Sequence, residues 1–158
     1  MKHLISIRIA SAAEREQVRS IRDRAFVSVR TVYSPTETAT PKSTSQETAR
    51  IDAIASIQGL DAGVIGLYSD GPQLRITGLG VLPALRKRGV ASGLLNFAER
   101  VAIERDCRTL GLFTILETGN VEFFLRLSFA IVDEQLANWC ESDRFDALHE
   151  VEMRRDVR

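Results

Sequence analysis

Residues 85–100 read LRKRGVASGLLNFAER. Arg86, Lys87 and Arg88 run straight into Gly89, then into the small residues Val90, Ala91 and Ser92. Leu94, Phe97, Ala98, Val101 and Ala102 follow at the i, i+3, i+4, i+7, i+8 spacing of an amphipathic helix. A helix starting here exposes unpaired backbone N–H groups and the positive end of its macrodipole. Gly89 has no Cβ, so an anion can approach those amides closely. Guanidinium groups match phosphate oxygens in a bidentate way. The combination predicts an anion cradle suited to a phosphate or pyrophosphate. An R-K-R-G run in isolation is equally well a solvated corner, so its surroundings decide.

Other phosphate-binding patterns fit worse. No G-x-x-x-x-G-K-[ST] run exists, and a dinucleotide fingerprint starting at Gly78-Leu79-Gly80 fails because Pro83 stands at its last glycine. Cys107 and Cys140, with His3 and His149, are too few and too scattered for a zinc site, so no metal is expected. Both thiols read as small packing residues, which fits a reducing cytoplasm.

A chain of 158 residues, 44% hydrophobic and 27% charged, suits a single domain over 1–158 with a real core. Lys+Arg and Asp+Glu are both 21, so the net charge is zero and argues against a nucleic-acid or membrane partner. Arg8 breaks the N-terminal apolar run too early for a signal peptide, and no stretch approaches the roughly 20 apolar residues of a transmembrane helix. The expectation is a soluble cytoplasmic protein.

The elements that must hold the basic turn are legible around it. LISIRI (4–9) alternates as a strand with Ile5, Ile7 and Ile9 on one side. Ser11 and Glu14 form a capping box for a helix whose Val18, Ile21 and Ala25 recur at helical spacing to about Phe26. Residues 34–48, rich in Ser and Thr, predict a loop on the substrate side. Strands follow at about 49–58, 63–68 and 73–82, joined by turns short enough for antiparallel hairpins. In the third, the alternation slips between Ile76 and Leu79 across Gly78 and Gly80, which predicts a bulge or a ligand lying against the backbone. After the patterned helix, TLGLFTIL (109–116) predicts a strand parallel to the one at 73–82, through a right-handed crossover. A short helix at about 119–127, a strand from FAIV, a polar loop with Trp139 and a closing strand through Val151, Met153 and Val157 complete the chain.

With that context, LGVLPALRKRGVASGLLNFAE resembles motif A of the GCN5-related N-acetyltransferases. Arg86, Gly89 and Ala91 hold the three fixed places of its Q/R-x-x-G-x-G/A turn, and FFLRLSF (123–129) is similar to the family's F-Y-x-x-L-G-F element. The resemblance covers about residues 74–132. It implies an α/β fold with a mixed sheet of about seven strands, flanked by helices and splayed between the fourth and fifth. It also implies acetyl-CoA as co-substrate, its pyrophosphate on the amides of Arg88, Gly89, Val90, Ala91 and Ser92. Its pantetheine would extend along Leu79, Gly80 and Val81, with the Leu79 N–H toward the thioester carbonyl and Gly80 letting the ligand lie flat. Asn120 and Phe124 complete the implied cofactor site, alongside the Arg86 and Lys87 side chains.

Four positions depart from the family pattern, one of them Glu117, which stands where an asparagine is frequent at the end of the fifth strand, with Asn120 three residues on. Phe124 stands at the tyrosine that gives the leaving thiolate its proton, Arg75 at the glutamate base of the protein-modifying branch, and Ser128 at the glycine of L-G-F. Asp52, Glu47 and Glu117 are candidate bases, each equally well a solvated carboxylate, while Tyr33 and Tyr68 have no assigned role. The leading expectation is transfer of an acetyl group to the amine of a small molecule or amino acid. The alternative is a non-catalytic acyl-CoA-binding regulatory module of the same fold. A homodimer through the last strands is one option for assembly.

Overall fold

A computed structural model of the chain describes residues 4–36 and 50–157. Seven strands form one sheet in the order β1-β3-β4-β5-β6-β9-β7, comprising β1 (Ile5–Ile9), β3 (Ile51–Ile57), β4 (Leu60–Asp70), β5 (Gln73–Val81), β6 (Thr109–Ile115), β7 (Ala130–Leu136) and β9 (His149–Asp156). Only the β5–β6 pair is parallel. A two-stranded ribbon pairs β2 (Ser34–Pro35) with β8 (Cys140–Glu141). The helices are α1 (Arg15–Ala25), α2 (Val27–Arg30), α3 (Val90–Glu104) and α4 (Asn120–Arg126). No helix among the described residues is long and apolar enough to cross a membrane.

The central strands are covered on both faces. Val18 and Ile21 of α1 pack with Ile54 and Val64 on one side. On the other, Leu94, Leu95, Ala98 and Ala102 of α3 pack with Ala53, Ala55, Ile65 and Leu67. Burying each large aliphatic side chain contributes about 1.5–3 kcal/mol. This two-sided burial makes β3 and β4 near-continuous apolar runs. Entry to α1 follows the sequence reading: the Ser11 N–H donates to Glu14 Oε1 at 3.2 Å, ahead of a short 3₁₀ turn. Ile9 departs from it. Ile5 and Ile7 face α3, but Ile9 on the same edge strand is 58% exposed.

The predicted bulge is present. Thr77 and Gly80 pair with Gly66 and Val64, so Gly78 and Leu79 stand opposite Ile65 alone, and Gly78 takes φ +57°. The predicted loop 34–48 is corrected at its start, where Ser34–Pro35 pairs with Cys140–Glu141 inside the stretch read as a polar loop. Residues 37–48 lie outside the described residues. Ser128 builds the turn that a glycine would: φ is +70° and its N–H bonds Leu125 O at 3.1 Å. A left-handed residue with a Cβ costs about 1–2 kcal/mol.

The glycine at position 80 has a packing reason besides the one the resemblance implied. A Cβ there would sit 2.8 Å from the Ala25 Cβ, so α1 lies against this strand and occupies the space. Gly80→Val should therefore lower stability by about 1–3 kcal/mol through overpacking. In a double-mutant cycle followed by thermal unfolding, Ala25→Gly should recover part of that loss in the Gly80→Val chain. Strict additivity would mean α1 does not press on this strand.

Candidate acyl-transfer site

β5 and β6 pair only from Gln73 to Arg75, against Thr109 to Gly111. Beyond Arg75 the two strands part, and two cavities open into the gap. One, of about 640 Å³, lies toward the basic turn. The other, of about 1010 Å³, lies toward α1, α2 and the Trp139 segment. Leu79, Asn120 and Phe124 line both, so they mark the junction.

The smaller cavity gathers most of the residues expected to hold a cofactor. Leu79, Gly80 and Val81 line it from β5, Arg86, Lys87, Gly89, Ala91 and Ser92 from the turn, and Asn120 and Phe124 from α4. Gly89 is the N-cap of α3 at φ +86°, and Lys87 takes φ +64° on the other side of Arg88. The first α3 bond runs from the Gly93 N–H to Gly89 O at 2.9 Å, which leaves the amides of Val90, Ala91 and Ser92 without an intrahelical acceptor. That is a donor cradle of the kind phosphate oxygens fill. The fit to a coenzyme A pyrophosphate rests on this backbone, not on the side chains of Arg88 and Val90. Arg88 is exposed and outside the cavity lining, and the Val90 side chain is 1% exposed within the core.

Arg86 is tied to backbone carbonyls. Its Nε donates to Val81 O at 3.0 Å and an Nη to Ala25 O at 2.9 Å. The guanidinium thus ties the end of β5 to the end of α1 and fixes the turn that carries the amides.

The two candidate bases among the described residues, Asp52 and Glu117, line neither cavity. Asp52 Oδ1 accepts from Arg22 at 3.2 Å and from Arg50 at 3.0 Å, so it is their shared counter-ion. Burial pushes the Arg22 pKa down, the Arg50 charge adds to this, and Asp52 opposes it. Glu117 accepts from the His149 backbone N–H at 2.6 Å and lies 3.1 Å from His149 Nδ1, which fixes the start of β9. Glu47 lies outside the described residues. Arg75 is held by Asp70 and Glu152 at 3.3 and 3.0 Å.

One carboxylate was missed. Glu150 is 7% exposed, lines the larger cavity and accepts from Trp139 Nε1 at 3.1 Å. Tyr33 meets the Trp139 ring edge-on at 5.7 Å, with the Arg30 guanidinium 5.2 Å from the Tyr33 centroid. Tyr68 lines the same cavity opposite Arg75, at the end where β5 and β6 still pair. Burial pushes the nearby Cys140 thiol up, with Glu150 and Glu117 adding to it, so it stays protonated and unreactive. Phe124, 8% exposed, packs edge-on against Phe123 and Phe129 with centroids 5.2 and 5.6 Å apart.

The described fold matches solved acetyltransferases along nearly its whole length. Nourseothricin acetyltransferase superposes with a TM-score of 0.72 at 18% identity, covering 98% of this chain and 99% of that one. The ribosomal-protein-S18-alanine N-acetyltransferase from Escherichia coli gives 0.73 at 14% identity, covering 98% and 94%. A Bacillus anthracis str. Ames structure in complex with acetyl coenzyme A gives 0.71 at 16%, covering 97% and 99%. At these identities the likeness is one of fold. No curated protein matches the chain by sequence. A family model described as the Acetyltransferase (GNAT) family matches residues 16–129, well over half of the chain. The chain belongs to the GNAT acetyltransferase family.

Proposed function

We propose that the protein is an N-acetyltransferase that moves an acetyl group from acetyl-CoA to the amine of a small molecule or amino acid while both substrates are bound. The single observation that carries this reading is the meeting of two cavities at Leu79, Asn120 and Phe124, one served by a phosphate-type cradle. Two substrates can then enter from opposite sides and meet without exchanging places. Acetyl-CoA supplies an acyl group activated as a thioester: the amine forms the new C–N bond, the C–S bond breaks, and coenzyme A leaves as a thiol.

Each contribution of the chain follows from its position. The turn at 88–92 binds the pyrophosphate through backbone N–H groups, aided by the α3 dipole. The β5 edge from Ile76 to Val81 has no strand partner on its β6 side among the described residues, so an extended pantetheine arm can add there as a short strand. The Leu79 N–H, on a residue that lines both cavities, is the donor for the charge that develops on the acyl oxygen. Glu150 receives the acceptor's ammonium in the larger cavity and takes its proton. Phe124 shields the reacting centre from water but has no proton to give, so the thiolate takes one from water or from the acceptor.

Three measurements test these roles. Gly89→Asp puts a negative charge into the cradle, and Gly89→Asn puts a neutral group of the same shape there. Calorimetry should show acetyl-CoA affinity falling at least about 10-fold for the aspartate and much less for the asparagine; equal affinities in the parent and Gly89→Asp would remove the pyrophosphate from this turn. Glu150→Gln keeps size and an acceptor for Trp139 but loses the base. Turnover with a responsive amine should drop roughly 10²-fold with acetyl-CoA affinity unchanged. An undiminished rate would take Glu150 out of the mechanism.

The third uses Phe124 and a thiol-release assay across an amine panel. Phe124→Tyr should hold acetyl-CoA affinity within a few-fold and raise or preserve turnover, whereas Phe124→Ala should weaken it through lost packing. If acetyl-CoA binds but neither the parent nor Phe124→Tyr acetylates any amine, the regulatory-module reading replaces the enzyme.

A further inference from the structure

The bulge in β5 has a second partner besides the gap. Arg22, from the middle of α1, donates through Nε to Gly78 O at 3.1 Å. The same guanidinium is held from behind by Asp52 Oδ1 at 3.2 Å, and Asp52 is fixed in turn by Arg50 at 3.0 Å. A Cβ on Gly78 would fall 2.3 Å from Arg22 Nε, so only glycine lets the guanidinium lie on this peptide. Arg22 is largely buried, with 19% of its side chain exposed.

Gly78 C=O and Leu79 N–H belong to one peptide unit, and no peptide in the described chain is cis. In a trans peptide the carbonyl and the N–H point in opposite directions. Fixing Gly78 O toward Arg22 therefore fixes the Leu79 N–H away from Arg22. Because Gly78 and Leu79 stand outside the β4–β5 register, the ladder itself does not set the orientation of this peptide. A cation on the carbonyl oxygen also draws electron density from the amide and strengthens its N–H as a donor.

We infer that Arg22 is a positioning residue for acyl transfer: it grips Gly78 O so that the Leu79 N–H is aimed at, and sharpened toward, the acyl oxygen. This rests on the reading above that Leu79 is that donor. In this role Arg22, which also lines the larger cavity, acts through Gly78 and not on a substrate, and Asp52, nominated from sequence as a base, holds the guanidinium in place.

The carbonyl stretch of acetyl-CoA labelled with ¹³C at the acyl carbon reads this directly, by difference infrared spectroscopy of the bound and free states. In the parent the stretch should move to lower frequency on binding. Arg22→Met keeps length and loses every donor, so it should lose most of that shift and lower kcat by about 10- to 100-fold, somewhat less than deleting an oxyanion donor outright. The KM for acetyl-CoA should stay within a few-fold. Arg22→Lys, which retains a donor, should restore part of the shift. Gly78→Ala, which displaces the guanidinium with Arg22 still present, should lose the shift like Arg22→Met and serves if the latter does not fold. A parent-sized shift in folded Arg22→Met or Gly78→Ala overturns the inference while leaving Leu79 as the donor. A parent that binds acetyl-CoA with no shift overturns both.

Discussion

A strand that loses its neighbour in the middle of a sheet is the constraint around which this molecule is arranged. β5 is paired with β4 at both ends of the bulge at Gly78 and Leu79, but only over three residues with β6. The edge from Ile76 to Val81 carries backbone donors and acceptors that the sheet does not satisfy, at a depth where leaving them unmet costs about 1–3 kcal/mol each. An ordinary edge strand would be blunted by charge or covered. Here the opening is kept and walled instead, by α1 and α2 on one side and by α4 on the other.

Keeping such a gap open requires that its rim be rigid, and the α1–β5 contact supplies this. Arg22 reaches the bulge carbonyl, Ala25 presses on Gly80, and the Ala25 carbonyl receives Arg86 from the basic turn. Helix α1 thus couples the β5 bulge, the unpaired strand edge beside it and the basic turn that leads into α3. Each contact is a hydrogen bond to backbone or a close packing of small groups. None has the slack of a long, exposed ion pair.

Much of this architecture was legible in the sequence, since strand alternation, the glycine phase slip and the α3 stripe all report backbone geometry through side-chain type. The RKRG turn and FFLRLSF located the two walls of the gap. Three things were not legible, each for a physical reason. Arg86 looks the same in sequence whether it meets a phosphate or a carbonyl, and only the crossing of α1 over β5 decides. Glu150 sits on the outward parity of a strand whose Val151 and Met153 face the core, and it is buried only because the Trp139 segment folds over it. Asp52 looked like a free carboxylate because Arg22, thirty residues earlier in the chain, is its partner only in three dimensions. The capping box and the bulge were read correctly because both are local.

The far end of the larger cavity is built differently from its floor. Its wall is α2 with Tyr33 and Trp139, next to the short strands β2 and β8, pieces joined by a few bonds such as the Thr36 N–H to Trp139 O at 2.9 Å and the Ser142 hydroxyl to Val32 O. Arg22 and Gly78 line the floor of the same cavity, where α1 packs directly on β5. Drift in the short pieces can therefore reshape the mouth without retuning the chemistry beneath it. A lineage carrying this layout can trade one acceptor for another by exchanging its lip while its engine is inherited intact.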